Sequence, residues 1–434
     1  MRSGEWKAPP VAVFWDQSLP WGLICIDSLS VMGIPFHLLT AEDIAAGWLS
    51  RYRVLLVPGG WASHKVQVLG EAGGGRIKDF VESGGSYMGF CGGAGLALAS
   101  PPSIRLVPLE RMSLEDRLPS ASGEIWIRGN ADHPVWKDLP AALPVSIWWP
   151  SQFSSQPFPG SVCLGVYSAV GSDFLVADLP IADLKDMRTP WDEWEKIYGI
   201  NLNPERLLGH PALMEAHAGK GRLILSYPHL ETPGDAWGNR LLVNCLTYLD
   251  SQSSRHLHGG GVLKGPPGRY SRSPDASVLC CLERAQGAVE ELVAFGERRL
   301  FWRWRRDWLL QWKRGIRGLE YGALAVAMRS MVRIVGESVR DGGSGAGWMR
   351  DAEAIAGGVD EFCRIARNLL VQEQVASHAG GLSKLGVVNE GVDELREQLF
   401  GKRMNHGGIC KTLFDGIDRS LLEILRFRST LHGT

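Results

Sequence analysis

The sequence predicts an α/β domain, with a mostly parallel sheet covered by helices on both faces, followed by an all-α helical bundle. Three observations carry this expectation. Through residues 1–250, short apolar or β-branched runs alternate with helical patterns, as when strands return through crossover helices. At 251–277 the run SQSSRHLHGGGVLKGPPGRYSRSPDAS is rich in Ser, Gly, Pro and Arg and reads as a flexible linker. Over 278–434 helical periodicity broken by Gly-rich stops takes over. A chain of 434 residues exceeds what one core usually serves, so two domains fit its length.

In order, Val11 to Trp15 reads as the first strand, Leu23 to Met32 as a helix, and Pro35 to Leu39 as a second strand. Arg53 to Val57 is a third strand and ends in Pro58-Gly59-Gly60. A helix over Arg76 to Ser83 stops at Gly84-Gly85, and the strand Ser86 to Phe90 runs straight into Cys91 and a Gly-rich helix start at Gly92. From about 101 to 203 the pattern weakens, with strands expected at Gly123 to Arg128, Val145 to Trp149, Ser161 to Tyr167 and Asp173 to Ala177. This stretch is read as an insertion into the same domain. Arg222 to Ser226 and the helix Asn239 to Leu249 close the sheet. Beyond the linker, helices are expected at Leu279 to Gly315, Leu319 to Val339, Asp351 to Val375, Val388 to Phe400 and Leu413 to Phe427.

Composition narrows the function classes. With 45% hydrophobic and 21% charged residues, bulk disorder is excluded. A net charge of -1 gives no general pull towards nucleic acid or acidic membranes, so such an affinity would need a local patch. The eight cysteines form no CxxC pair and no zinc-like Cys/His spacing, and His256 and His258 lack a third ligand. Free thiols, no metal and no cofactor are therefore expected. No stretch reaches the ~18 apolar residues of a membrane span, since Arg329 and Arg333 interrupt Gly322 to Val335. With no signal-like apolar run ahead of VAVFWD, a reducing cytoplasm is the expected location.

The chemistry centres on Gly89-Phe90-Cys91-Gly92-Gly93. A nucleophile on a sharp strand-to-helix turn needs glycines around it, because the turn brings backbone atoms too close for a Cβ. A cysteine at a helix start also meets the positive end of the helix dipole, which favours the reactive thiolate. Tyr227-Pro228-His229-Leu230-Glu231 follows another strand end, so Glu231 is placed to orient the His229 imidazole and His229 to shuttle the thiol proton. The backbone N–H groups of Gly59, Gly60 and Gly92 are candidate oxyanion donors. His64 and Lys65, directly after the oxyanion glycines, are candidate substrate contacts. Trp148-Trp149 fits a pocket wall or ordinary core packing.

This combination resembles class I glutamine amidotransferase domains. PGGWASHK, GGSYMGFCGGAGLAL and PALMEAHAGKGRLILSYPHLE look most like the amidotransferase-like domain at the N-terminus of biotin-protein ligases. The resemblance covers about residues 10–250 and implies a flavodoxin-like amidotransferase fold. It further implies a Cys91, His229, Glu231 triad cleaving a C–N bond of a small-molecule amide through a thioester. Two features depart from the pattern. Gly95 stands where glutamine-hydrolysing members carry Gln, and no Gly-Arg-Gly-rich adenylate loop follows the linker. The rival reading is a non-catalytic binding module that uses the fold as a scaffold, with the helical domain binding a protein partner or a second copy.

Within 297–317, ERRLFWRWRRDWLLQWKRGIR, a helix would align Phe301, Trp304, Trp308 and Trp312 on one face and put most of the arginines elsewhere. Such a helix suits bundle packing or, less readily, an anionic membrane surface or nucleic acid.

Overall fold

Eleven strands form one mixed sheet: β1 (Val11–Phe14), β2 (Phe36–Leu39), β3 (Val54–Val57), β4 (Ser86–Phe90), β5 (Ala121–Gly129), β6 (Ala142–Trp148), β7 (Val162–Val170), β8 (Leu175–Val176), β9 (Leu179–Pro180), β10 (Pro211–Ala218) and β11 (Gly221–Ser226). This computed structural model describes residues 10–154, 158–185, 187–255, 263–270, 273–339, 346–379, 387–402 and 407–432. The chain falls into two units, Met1–Pro266 and Pro267–Thr434. Part of the expected linker, with His256 and His258, lies outside the described residues.

The sheet order is β2-β1-β3-β4-β11-β10-β7-β5-β8-β9, with β6 paired to β5. The half from β2 to β11 is parallel. All four residues of β1 and of β3 are buried, as in central strands covered on both faces. The remaining pairings are antiparallel and arise from the expected insertion together with β10. On β5, buried Ile125 and Ile127 flank exposed Trp126, the alternation of a strand with one solvated face.

Helices α1 (Trp21–Val31), α2 (Ala41–Ala45), α3 (Ala62–Glu82), α4 (Gly92–Ala97), α5 (Trp191–Tyr198) and α6 (Ala236–Gln252) complete this unit and lie on both sides of the sheet. A capping box between Thr40 and Asp43 starts α2. α3 begins fourteen residues before the expected Arg76 and is broken at Gly70 (φ 57°, ψ -167°), because glycine alone adopts that backbone freely.

Register positions the site. Val57 pairs with Gly89, and Ser226 with Phe90, so β3, β4 and β11 end level with one another. The three segments expected to carry chemistry leave the sheet at a shared carboxyl edge, where open α/β sheets bind their ligands.

The second unit contains α7 (Ala276–Glu297), α8 (Gly318–Gly336), α9 (Ala346–Ala379), α10 (Glu390–Phe400) and α11 (Gly408–His432). Its core stacks Trp302, Tyr321, Phe362 and Phe400. The long helix expected over Leu279 to Gly315 is corrected: after α7 the chain forms a hairpin, β12 (Trp302–Arg306) and β13 (Leu309–Trp312). The sequence WRWRR alternates with period two and is rich in tryptophan, which suits a strand, and Asp307-Trp308 makes the turn. The single face of Phe301, Trp304, Trp308 and Trp312 therefore does not exist. Of the hairpin's indoles only Trp302 is buried, and its Nε1 donates to Val293 O at 2.9 Å. Arg329 covers the Trp304 ring at 4.5 Å.

Candidate active site

Cys91 occupies a strained turn. It is a non-glycine residue at φ 47°, ψ -105°, fixed by its N–H to Ser226 O and by its carbonyl to Gly95 N, both at 2.8 Å. Such a backbone costs about 1–3 kcal/mol and persists only where its surroundings impose it. Those surroundings tolerate no side chains on the flanking glycines. A Cβ at Gly89 would stand 2.7 Å from the Gly93 carbonyl, and one at Gly93 would run into Val57 O. The Tyr87 hydroxyl, buried under the turn, donates to Gly93 O at 2.6 Å and holds the start of α4. The thiol is half-buried.

The β3 end closes on the same point. Gly60 adopts φ 106°, and a Cβ at Gly92 would collide with the Gly60 carbonyl, so the two glycine loops touch. Among the described residues, neither the Gly60 nor the Gly92 N–H meets an acceptor. Lys65 is fully enclosed, and its Nζ donates to Ser18 Oγ at 2.6 Å and Gln17 O at 3.2 Å. It braces the loop after β1 rather than opening onto solvent. His64 is half-buried, its ring 6.4 Å from that of Trp61.

The β11 end brings the imidazole. His229 Nδ1 lies 2.7 Å from Glu231 Oε1, and both side chains are buried. The His229 N–H binds Ser146 O at 2.8 Å, and the Asp235 carboxylate accepts from Ser146 N and Oγ and from Gly238 N. Asn239 Nδ2 donates to Leu230 O and Thr232 O, so α6 pins the loop on which His229 stands. The ring packs on Trp21 (centroids 4.7 Å apart), and a Cβ at Gly59 would lie 2.8 Å from His229 Cε1. Nε2 is buried without an aligned partner, and Cys91 is close enough to act on the ring as hydrogen-bond partner and as charge. Burial alone would favour neutral imidazole. The Glu231 charge, with ring hydrogen bonds donated towards Cys91 and Glu231, outweighs it and raises the pKa to about 10.

Trp148 and Trp149 part company. Trp148 is core, donating Nε1 to Thr232 Oγ1 at 3.0 Å. Trp149, at φ 50°, is half-buried with its ring 6.3 Å from Trp21. Sequence reasoning missed Arg111, whose Nη2 stands 2.8 Å from where a side chain at Gly95 would begin. Among the described residues no group of three or more His, Cys, Asp or Glu could hold a metal ion, and no helix is long and apolar enough to cross a membrane.

Residues 30–100 match the family described as "Biotin-protein ligase, N terminal". The matched segment includes Gly59, Gly60 and Cys91 and stops short of His229 and Glu231. The expected resemblance is thus found in this segment. No curated protein matches the chain. Among solved structures, PurLQS from Thermotoga maritima is 15% identical, covering 56% of this chain and 99% of that one at a TM-score of 0.37. A glutamine amidotransferase from the same organism is 12% identical over 56% of this chain and 99% of its own, with a TM-score of 0.32. A β-galactosidase from Bacillus circulans sp. alkalophilus is 15% identical over 56% of this chain and 32% of its own, at 0.34.

Proposed function

We propose that the first unit is a cysteine-dependent enzyme that cleaves an amide or related C–N bond. One observation carries this reading: a strained non-glycine Cys91 stands at the level edge where β3 and β11 also end, beside a buried His229 paired with Glu231. Cys91 Sγ attacks the carbonyl carbon, and the Gly60 and Gly92 N–H groups receive the developing oxyanion. The C–N bond then breaks, and the imidazolium gives its proton to the leaving amine. Water cleaves the thioester with neutral His229 as base: one water proton goes to the ring, the hydroxyl joins the acyl carbon, and the carboxylic acid product departs as the C–S bond breaks and Cys91 is freed as thiolate beside the imidazolium. Glu231 orients the ring and stabilises its cation.

The helical unit is proposed as a partner-binding module. A scaffold without catalysis is the second reading, favoured by Gly95 in place of the glutamine-binding residue. Incubating the protein with glutamine and a panel of other primary and secondary amides separates the two. The enzymatic reading expects ammonia or amine release together with an acyl adduct on Cys91 by intact mass, both absent from Cys91→Ala. Release that survives Cys91→Ala contradicts it.

A further inference from the structure

Two arginines that no part of this triad uses reach the elbow from one segment. Arg111 forms a bridge with Phe153, and Met112 N and Ser154 N extend the pairing by bonding Gln152 O and Glu110 O. Gln152, fully buried, accepts from Leu118 N at 2.7 Å and donates to Arg206 O at 2.8 Å, so the segment is held at both ends. From it the Arg111 guanidinium arrives over Gly95, one helical turn past Cys91 on α4. Arg117 Nη1 donates to Ser151 Oγ at 2.6 Å. Phe153 packs on Tyr227 with ring centroids 4.3 Å apart, which brings the Tyr227 hydroxyl into the group beside Arg111 and Ser151.

The electrostatics agree with this placement. Cys91 is among the charges that act on Arg117, Tyr227 and Tyr167. Burial lowers the proton affinity of Arg117 and raises that of both tyrosines. Tyr167 and Tyr227 are each 1% exposed, and their hydroxyls, like the Nε atoms of both arginines, are buried without an aligned partner. Among the described residues, neither guanidinium forms an ion pair with a carboxylate of this chain. Two partly buried guanidiniums and two enclosed phenols form a donor-rich group that complements an oxyanion and repels a cation.

We propose that the substrate carries an oxyanion, carboxylate or phosphate, close to the carbon that Cys91 attacks, and that Arg111 and Arg117 hold it. The proposal rests on the amidase reading for the word substrate, whereas the anion site itself does not need it. Where glutamine-hydrolysing relatives are expected to place Gln, this chain has Gly95 and the Arg111 guanidinium beside it. The specificity this implies is for a negatively charged amide.

Two alkylating reagents of similar size read the site without turnover: iodoacetate, an anion, and iodoacetamide, which is neutral. Exposed Cys280 supplies an internal reference in the full chain. The iodoacetate-to-iodoacetamide rate ratio at Cys91 should exceed that at Cys280 by roughly tenfold and fall as KCl is raised. Arg111→Gln and Arg117→Gln should each bring it down towards the Cys280 ratio, whereas Arg117→Lys should retain part of the preference. Inorganic phosphate or succinate should protect Cys91 from iodoacetamide, and the better protector names the oxyanion. A Cys91 ratio in the unaltered protein no higher than that of Cys280 overturns the proposal, whether or not the variants fold. The amidase reading fails separately: if His229→Ala leaves both rates untouched while the arginine dependence holds, the anion site stands without the catalyst.

Discussion

Glu231 Oε1 meets His229 Nδ1 at 2.7 Å where neither side chain is more than 1% exposed, so the imidazole keeps its proton against the pull of burial. Its folded-state pKa, about 10, lies above the ~6.5 of an unfolded histidine. The stabilisation from this pair is complete below pH ~6.5 and is lost as pH rises through about 10. In 15N-labelled protein the His229 ring should stay doubly protonated through neutrality. Glu231→Gln should drop the pKa below the ordinary value, because burial then acts with less opposition. A ring that titrates near 6.5 with or without Glu231 would show that the carboxylate does not govern it.

Gly59 is the contact through which β3 sets the ring. An added methyl would stand 2.8 Å from His229 Cε1 and 3.1 Å from Trp21 Cγ, so Gly59→Ala must displace one of them. Overpacking of this kind costs about 1–3 kcal/mol. The predicted signature is a drop of roughly tenfold in Cys91 alkylation by iodoacetamide, with the chain still folded by circular dichroism. Unchanged alkylation would mean that the ring position is not set there.

Cys91 at φ 47° sits where glycine would rest without strain. Cys91→Gly should therefore raise stability by about 1 kcal/mol, the relief of strain outweighing the added freedom of the unfolded chain. Chemical denaturation of the two proteins measures it. A loss of stability would place the strain elsewhere.

The two units differ in how much of them could be read from residues alone. β1 and β3 were legible because strands buried on both faces read as near-continuous apolar runs, and β4 with the elbow because its crowding requires glycine at positions 89, 92 and 93 around Cys91. β10 was not, since Glu215 and His217 break the apolar pattern of PALMEAHA, and Glu215 is tolerated through Arg222 on β11 together with His133 and Tyr248, which lie far along the chain. Arg111 and Arg117 were invisible for the same reason: Gly95, Ser151, Phe153 and Tyr227 become their neighbours only after folding. The 302–312 hairpin was misread because aromatic residues spaced by three and four, from Phe301 to Trp304, Trp308 and Trp312, also fit a helix, and only tertiary packing chose Trp302 for the core.

Glu215 itself predicts an acid limit. His133 Nε2 at 2.8 Å, Tyr248 Oη at 3.0 Å and Arg222 Nη1 all bond its carboxylate. Burial pushes its pKa up, but these bonds prevail and hold it down to about 2. This contribution to stability is present above the unfolded value of ~4.3 and disappears as pH falls towards 2. Glu215→Gln should cost about 1–3 kcal/mol at neutral pH and flatten the acid-side loss of stability in a urea titration between pH 5 and 2. An unchanged acid profile would remove Glu215 from the account.

The claim that Cys91 and His229 act as one nucleophilic unit is tested most directly by the iodoacetamide rate at Cys91 relative to Cys280, mapped by mass spectrometry at neutral pH in the unaltered chain and in His229→Ala. The geometry predicts that Cys91 reacts at least about tenfold faster than Cys280 despite being less exposed, and that His229→Ala abolishes the advantage. Equal rates at the two cysteines, or an advantage that survives loss of the imidazole, would contradict it.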